Sequence, residues 1–262
     1  MGLFSFFKKS NRVYYPGCRG FFKFPEQFEL YKKIFEKLSI DFKIIDKKIC
    51  CGLPAYEAGY EQEARKLARR NFEIFKEENI SEIITPCPAC YKMFLQQYSE
   101  FLPEWNIKVF NIWGEILKKI EEKPFLIKNK VDDVVTVQDS CYLGRYCDIY
   151  NEPRLILELF GYDIKEMKNN KENAFCTGGC GGLSITNIEL ADKCAKEILI
   201  QAKRINVNKI IVFSLEDYKL LKRNSKNSNI KIFEFSEILA DSLGIKKLEN
   251  REIPVEIEEV DE

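Results

Sequence analysis

Short runs of β-branched and aromatic residues alternate with longer stretches whose apolar positions repeat at helical spacing, and the whole pattern occurs twice. In the first half, Val13–Tyr15, Phe42–Ile45, Ile83–Thr85 and Lys108–Phe110 read as strands. Between and after them, Glu26–Leu38, Glu61–Asn79, Cys90–Tyr98 and Ile112–Ile120 read as helices. In the second of these, Ala64, Leu67, Ala68, Phe72 and Phe75 form one core-facing stripe. The second half gives strands at Val134–Gln138, Ile164–Met167, Lys209–Phe213 and Ile230–Phe233. Its helices fall at Pro153–Phe160, Ile188–Asn206, Asp217–Arg223 and Ser236–Leu243. Alternating strands and helices predict a parallel sheet flanked by helices. The expected fold is therefore α/β, with two tandem related domains over residues 12–122 and 132–248. The charged stretch from Glu121 to Asp133 joins them.

The two halves also correspond residue by residue. Val13-Tyr-Tyr-Pro-Gly-Cys18 matches Thr136-Val-Gln-Asp-Ser-Cys141, and Cys50-Cys51-Gly52 matches Cys176-Thr177-Gly178. Ile83-Ile84-Thr-Pro-Cys87-Pro-Ala-Cys90-Tyr91-Lys92 matches Ile210-Ile211-Val-Phe-Ser214-Leu-Glu-Asp217-Tyr218-Lys219. Self-similarity over half a chain indicates a duplicated domain rather than a short-period solenoid.

Charge narrows the partners. Lys+Arg and Asp+Glu are both 41, so no basic excess invites nucleic acid and no acidic tract signals disorder. No apolar run approaches the ~20 residues needed to cross a bilayer. The opening Met-Gly-Leu-Phe-Ser-Phe-Phe lacks the charge-first order and cleavage site of a signal peptide, and position 6 is not Ser or Thr, as myristoylation would require. It reads as a locally packed terminus. The expected location is the reducing cytoplasm, where structural disulfides are rare, with a membrane reached only through a partner.

That setting gives the ten cysteines their meaning. Histidine is absent, so any metal must be held by sulfur with carboxylate help at most. Cys18 is followed by 31 residues, then Cys50-Cys51, then 35 residues, then Cys87-Pro-Ala-Cys90. A Cys-x-x-Cys pair places two thiolates on one centre, and two further loops bring the rest. Soft thiolate sets select zinc, copper(I) or iron–sulfur clusters. Five thiols exceed the four of a tetrahedral zinc site, which favours iron and sulfur. Cys18, Cys50, Cys51 and Cys87 each follow the C-terminal end of an expected strand, the edge where parallel sheets collect ligands. Cys90 enters from the first turn of a helix, whose N-terminus favours thiolate. Cys50 and Cys51 can share a site only on a tight turn, which Gly52 and Pro54 permit.

The set Cys18, Cys50, Cys51, Gly52, Cys87, Pro88 and Cys90 resembles the cysteine-rich CCG domain. That domain occurs duplicated in heterodisulfide reductases and in iron–sulfur subunits of glycolate, lactate and glycerol-3-phosphate dehydrogenases. Cys141-Tyr-Leu-Gly-Arg145 and Glu152-Pro-Arg154 resemble its second copy. The resemblance spans about residues 12–245. It implies a 4Fe-4S cluster, of the non-cubane kind that uses five thiolates in heterodisulfide reductases, on Cys18, Cys50, Cys51, Cys87 and Cys90. It implies an oxidoreductase subunit that splits a bound disulfide with single electrons, Cys50 and Cys51 being the ligands closest to the chemistry. The alternative is an electron relay for a flavin-bearing dehydrogenase of 2-hydroxy acids or glycerol-3-phosphate. Either way it implies flavin- or iron–sulfur-bearing partner subunits and, in the first case, a thiol or disulfide substrate. A zinc-stabilised structural protein is the reading from a different class.

The second copy departs from the motif. Thr177 replaces the second cysteine of the pair, and Ser214 and Asp217 occupy the Cys-x-x-Cys positions. Cys147 and Cys180 are extra. Cys141, Cys147, Cys176 and Cys180 are candidates for a rebuilt site holding a second 4Fe-4S cluster or zinc, with Asp217 as a substitute oxygen ligand. The competing reading is a degenerate half kept for packing. Gly178-Gly-Cys-Gly-Gly182 lacks the spacing of a phosphate loop and suits a close backbone approach instead. Arg145 and Arg154 suit either a bound anion or internal ion pairs. Nucleophilic systems built on histidine are excluded.

Overall fold

The computed structural model describes residues 10–45 and 49–248; the opening peptide, residues 1–7, lies outside the described residues. In chain order the first half runs β1 (Arg12–Tyr14), α1 (Gly17–Phe22), α2 (Pro25–Lys37), α3 (Leu53–Glu57), α4 (Glu61–Glu77) and β2 (Glu82–Thr85). It continues through α5 (Pro88–Lys92), α6 (Tyr98–Phe101), β3 (Lys108–Asn111) and α7 (Ile112–Glu122). The second half runs β4 (Asp133–Gln138), α8 (Asn151–Leu159), β5 (Tyr162–Ile164), α9 (Leu183–Thr186) and α10 (Ile188–Arg204). It ends with β6 (Lys209–Val212), α11 (Leu215–Ser225), β7 (Lys231–Glu234) and α12 (Phe235–Ser242).

Both sheets are wholly parallel, ordered β1-β2-β3 and β5-β4-β6-β7. The expected strand over Phe42–Ile45 shrinks to one parallel bridge, Lys43 beside Val13. On that edge the three-residue β1 offers only the Arg12 carbonyl and the Tyr14 N–H, which Lys43 takes at 2.8 and 2.9 Å. This bridge stands where β5 stands in the second half, so the two sheets share one topology. The strand expected over Ile164–Met167 starts earlier, at Tyr162. Gly161, at φ +92°, turns the chain directly into register with Asp133, and Met167 leaves for a different core cluster.

Local signals account for several boundaries. Asn111 accepts the Gly114 N–H at 2.7 Å and Asn187 accepts the Leu190 N–H at 3.0 Å, capping α7 and α10. Glu234 and Glu237 form a capping box on α12. Beyond Pro88 the helix runs on to Phe101 with a wide turn over Met93–Gln97 that separates α5 from α6.

The largest core joins the halves. Tyr14, Phe35 and Trp113 of the first pack with Phe160, Phe213 and Phe235 of the second. Helix α2 lies on α12, and α7 on α8. Since α8 corresponds to α2 and α12 to α7, swapping the halves reproduces these contacts, as an approximate two-fold axis requires. Each buried aromatic ring removes 150–250 Å² from water, about 4–6 kcal/mol at 25 cal/mol per Å². Separate clusters fill the outer faces, around Phe72, Phe75 and Phe94 in one half and Ala195, Ile198 and Leu221 in the other.

Candidate metal centre

Loops leaving the C-terminal ends of β1 and β2 meet beneath Gly17. At φ +76° this residue opens α1, which carries Cys18 in its first turn. A Cβ at position 17 would sit 3.1 Å from the Cys87 Cβ and 3.4 Å from the sulfurs of both Cys87 and Cys90. Glycine is therefore required both by the backbone and by the approach of the second loop. Cys87 is the extended residue preceding α5, with its N–H held by Thr85 Oγ1 at 3.2 Å. Cys90 is buried in the first turn of that helix. Gly52, at φ +91°, is the left-handed residue that follows Cys50 and Cys51 and opens α3.

The five thiols act on one another's acidity in turn. Cys50 responds to hydrogen bonding from Cys18, Cys51 and the Gly52 N–H. Cys90 acts on both Cys51 and Cys87. These donors push Cys50 and Cys87 below the ordinary thiol range, against the opposing effect of burial. Donating to Cys50, together with burial, pushes Cys18 and Cys51 up. Donating to Cys51 and Cys87 raises Cys90. The influence runs in the order Cys18, Cys50, Cys51, Cys90, Cys87, with thiolate favoured at Cys50 and Cys87. Among the described residues, no three Cys, Asp or Glu side chains close around one point as a single metal ion requires.

A buried polar frame holds the Cys50–Cys51 backbone. Asn71 of α4, 1% exposed, donates to the Cys50 carbonyl and to the Tyr98 hydroxyl, both at 2.7 Å. Tyr98 donates onward to the Cys51 carbonyl at 3.1 Å, and Tyr15 donates to the Ile49 carbonyl at 2.9 Å. Reading the sequence for cysteines alone misses these residues. The available signal is Asn71 itself, an amide set at helical spacing within the apolar stripe of Ala64, Ala68 and Phe75.

The second half reproduces the arrangement with oxygen in place of sulfur. Cys176 and burial push the Cys141 thiol up, as Cys50 and burial do for Cys18. The Gly178 N–H lies 3.4 Å from the Cys176 sulfur, as the Gly52 N–H caps Cys50. Thr177 donates to Asp217 where Cys51 meets Cys90, and Ser214 bonds Asp217 where Cys87 meets Cys90. Burial lifts the Asp217 carboxyl to about 7. The Cys141 hydrogen bond lowers the Cys176 thiol to about 6. Cys180 lies 3.9 Å from Ser214 Oγ. Cys147 packs against the joint core, and burial raises its thiol to about 11 against the pull of Lys92. The structure thus packs Cys141 and Cys180 against one cluster, sets Cys180 beside Ser214 and leaves half-buried Cys147 against the joint core. Gly179 makes the close approach expected of the glycine run: a Cβ there would sit 2.9 Å from the Glu216 backbone.

The two sets face each other. Tyr142, next to Cys141, donates to Glu57 of α3 at 2.5 Å. Lys92, 7% exposed, lies 3.7 Å from Glu57 and 4.2 Å above the Tyr146 ring. Cys87 and Cys180 line one cavity of about 40 Å³ between the halves. Arg154 is committed internally, bidentate to Asp139 at 2.8 Å and paired with Glu166 at 2.6 Å. Arg145 donates to the Ala174 carbonyl at 2.7 Å.

Two stretches, residues 12–95 and 135–214, match the cysteine-rich domain family, CCG. The chain belongs to this family. One matched stretch falls in each of the two halves just described. Similar curated proteins include the EtfAB:quinone oxidoreductase of Syntrophomonas wolfei, 30% identical over 76% of this chain and 28% of its own length. The probable iron-sulfur-binding oxidoreductase FadF of Bacillus subtilis is 27% identical over 81% and 31%. A component of the dihydromethanophenazine:CoB–CoM heterodisulfide reductase of Methanosarcina barkeri is 24% identical over 90% and 60%. This chain therefore spans about a third of the first two relatives and somewhat over half of the third. Among solved structures, a putative Asp/Glu racemase from Yersinia pestis covers 88% of this chain and 96% of its own at 12% identity. Its TM-score of 0.39 is too low to bear on fold or function. Among the described residues, no helix is long and apolar enough to cross a membrane.

Proposed function

We propose that this CCG protein is an iron–sulfur electron-transfer subunit of a larger redox complex, with its cluster in the domain over residues 12–122. Cys18, Cys50, Cys51, Cys87 and Cys90 would hold a 4Fe-4S centre, and the domain over residues 132–248 packs against it. The observation that carries this reading is the gathering of five thiols at the strand ends, opened by Gly17 and framed by Asn71, Tyr98 and Tyr15. Five thiolates exceed the four that a tetrahedral single-ion site uses, which suits a polynuclear centre. The absence of histidine from the chain agrees with an all-sulfur donor set.

When bound, such a centre supplies single electrons. The protein's own contribution is electrostatic and mechanical. Hydrogen bonds from neighbouring thiols and the Gly52 N–H favour anionic sulfur at Cys50, and those from Cys90 do so at Cys87. Lys92 adds a positive charge between the two halves. The buried frame keeps the adjacent Cys50 and Cys51 turned to one side. Partners bearing flavin or iron–sulfur groups would deliver the electrons, in line with the oxidoreductase relatives. A thiol or disulfide is the substrate class such adjacent ligands suit.

The test is iron and acid-labile sulfide per chain, with electron paramagnetic resonance, on protein purified without oxygen. About four irons and a paramagnetic signal that responds to added disulfide would support cluster-based disulfide chemistry. The same signal indifferent to thiols and disulfides would leave an electron relay for a flavin dehydrogenase. Stoichiometric zinc with negligible iron would overturn the redox reading.

A further inference from the structure

The cavity between the halves brings a buried acid to the same space as Cys87. Besides that cysteine it is lined by Tyr14 of β1, Gln27 and Tyr31 of α2, Ser214, and Glu234 at the end of β7. Arg19 and Glu216, paired at 2.7 Å and both partly exposed, line it on the solvent side. Glu234 is 2% exposed. Its Oε1 accepts from the Tyr31 hydroxyl at 2.9 Å, and its Oε2 accepts from the Ser236 N–H at 2.8 Å and from the Ser236 hydroxyl. All three donors are neutral, so they satisfy the oxygens without cancelling a charge, and a buried carboxylate held in this way readily takes a proton. The Tyr14 hydroxyl, buried beside the same space, has no partner among the described residues. Buried hydroxyls ordinarily have one, and a water in the cavity would supply it. At ~10–15 Å³ per water, a cavity of about 40 Å³ holds about three.

We propose that Glu234 takes up a proton when the first-half cysteine centre gains an electron, with this cavity as the proton's way in from solvent. The coupling rests on the electron-transfer function proposed above, in which one electron arrives from a flavin- or iron–sulfur-bearing partner. One proton then passes from solvent, by way of water in the cavity, to a Glu234 oxygen. The O–H bond is the only bond formed. Reoxidation hands the electron to the acceptor and returns the proton to solvent. The two events are reciprocal: the electron raises the proton affinity of Glu234 by the factor by which the proton raises the electron affinity of the centre. Burial already lifts this carboxyl to about 7, so a further rise acts near neutral pH. The acids and phenols around Glu234 are Tyr14 from β1, Tyr31, Glu26 and Glu29 from α2, Tyr218 from α11 and Glu237 from α12. Burial raises all three tyrosines, so they stay neutral donors. Of the nearby lysines, Lys246 pairs with Glu26 and Lys222 acts on Glu237.

The test uses the full chain purified without oxygen. Iron is counted per chain, and the midpoint potential of its paramagnetic signal is measured from about pH 6 to 9. A neutral Glu234 favours the added electron and an ionised one opposes it. The wild-type potential should therefore be level at the acid end, fall as pH rises past about 7 and then level again. Across that step the electron affinity should change on the order of tenfold. Glu234→Gln stays neutral at every pH and keeps a partner for Tyr31 and Ser236. Its potential should sit at the wild-type acid-end value throughout. Glu237→Gln, which removes a neighbouring negative charge, should keep the step and move it to lower pH. Reduced-minus-oxidised infrared spectra at neutral pH should show a protonated-carboxyl band that shifts in D₂O and is missing in Glu234→Gln. A wild-type potential independent of pH with iron bound would overturn the proton coupling and leave the electron-transfer reading standing. A step that survives in Glu234→Gln would overturn it in the same way. A chain without iron would end both.

Discussion

Asn71→Ala removes one side chain from the frame under Cys50 and Cys51 without touching a sulfur. The wild-type amide makes two hydrogen bonds of 2.7 Å from a site 1% exposed. Alanine leaves the Cys50 carbonyl without that donor and takes from the Tyr98 oxygen the bond it accepts. Each buried group left unpaired costs about 1–3 kcal/mol, so the variant should lose about 2–4 kcal/mol. Against a whole-domain stability of about 5–15 kcal/mol, that is a large fraction. Tyr98→Phe should cost a similar amount through the Cys51 carbonyl. Because the two side chains share a bond, the double variant should fall short of the sum by about 1 kcal/mol. Anaerobic urea unfolding of the four proteins measures the coupling, and the rate at which a chelator removes iron reports the site. We expect a lower midpoint and faster iron loss in each single variant. Asn71→Ala that unfolds at the wild-type midpoint and holds iron equally long would refute the frame.

Three further outcomes follow from the geometry. Gly17→Ala forces an L residue to φ +76° and brings its Cβ to 3.4 Å from two sulfurs; bound iron per chain should fall several-fold while circular dichroism stays near native. Arg154→Met leaves the buried Asp139 carboxylate with the Lys171 N–H but no cation, which costs about 3–5 kcal/mol in denaturant unfolding, and Arg154→Lys should not recover the bidentate bond. Glu234 is lifted by burial from an ordinary 4.5 to about 7, so the folded protein binds its proton more tightly than the unfolded chain. Its contribution is complete below 4.5 and is lost as pH rises through 7, on the order of 3 kcal/mol across that span. Glu234→Gln, which keeps a partner for Tyr31 and Ser236, should flatten this part of the stability–pH curve. An unchanged slope would place the pH dependence elsewhere.

The duplication, the parallel α/β architecture and the cysteine spacing are all local or periodic properties, and so are legible in the chain itself. Alternating runs show strands and helices because side chains repeat at 2 and 3.6 residues whatever they later pack against. Tertiary pairing decided where strands stop. Phe42–Ile45 carries a strand-like run, but the three-residue neighbour offers backbone partners for one residue only. The equivalent strand in the second half is shifted by the turn at Gly161. The cysteine spacing also marked which sulfurs belong together in the first half, since each follows a strand on the same sheet edge. It did not reveal the order in which they act on one another, or the Asn71–Tyr98 frame, because those depend on helix α4 packing across the loop. In the second half the counting of cysteines was least informative. Spacing names four sulfurs as one candidate site, whereas the fold decides their surroundings: Cys141 and Cys180 pack against the same cluster, and half-buried Cys147 lies against the joint core. Sequence spacing fixes which loop carries a side chain, whereas the packing of the two halves fixes which way that loop turns it.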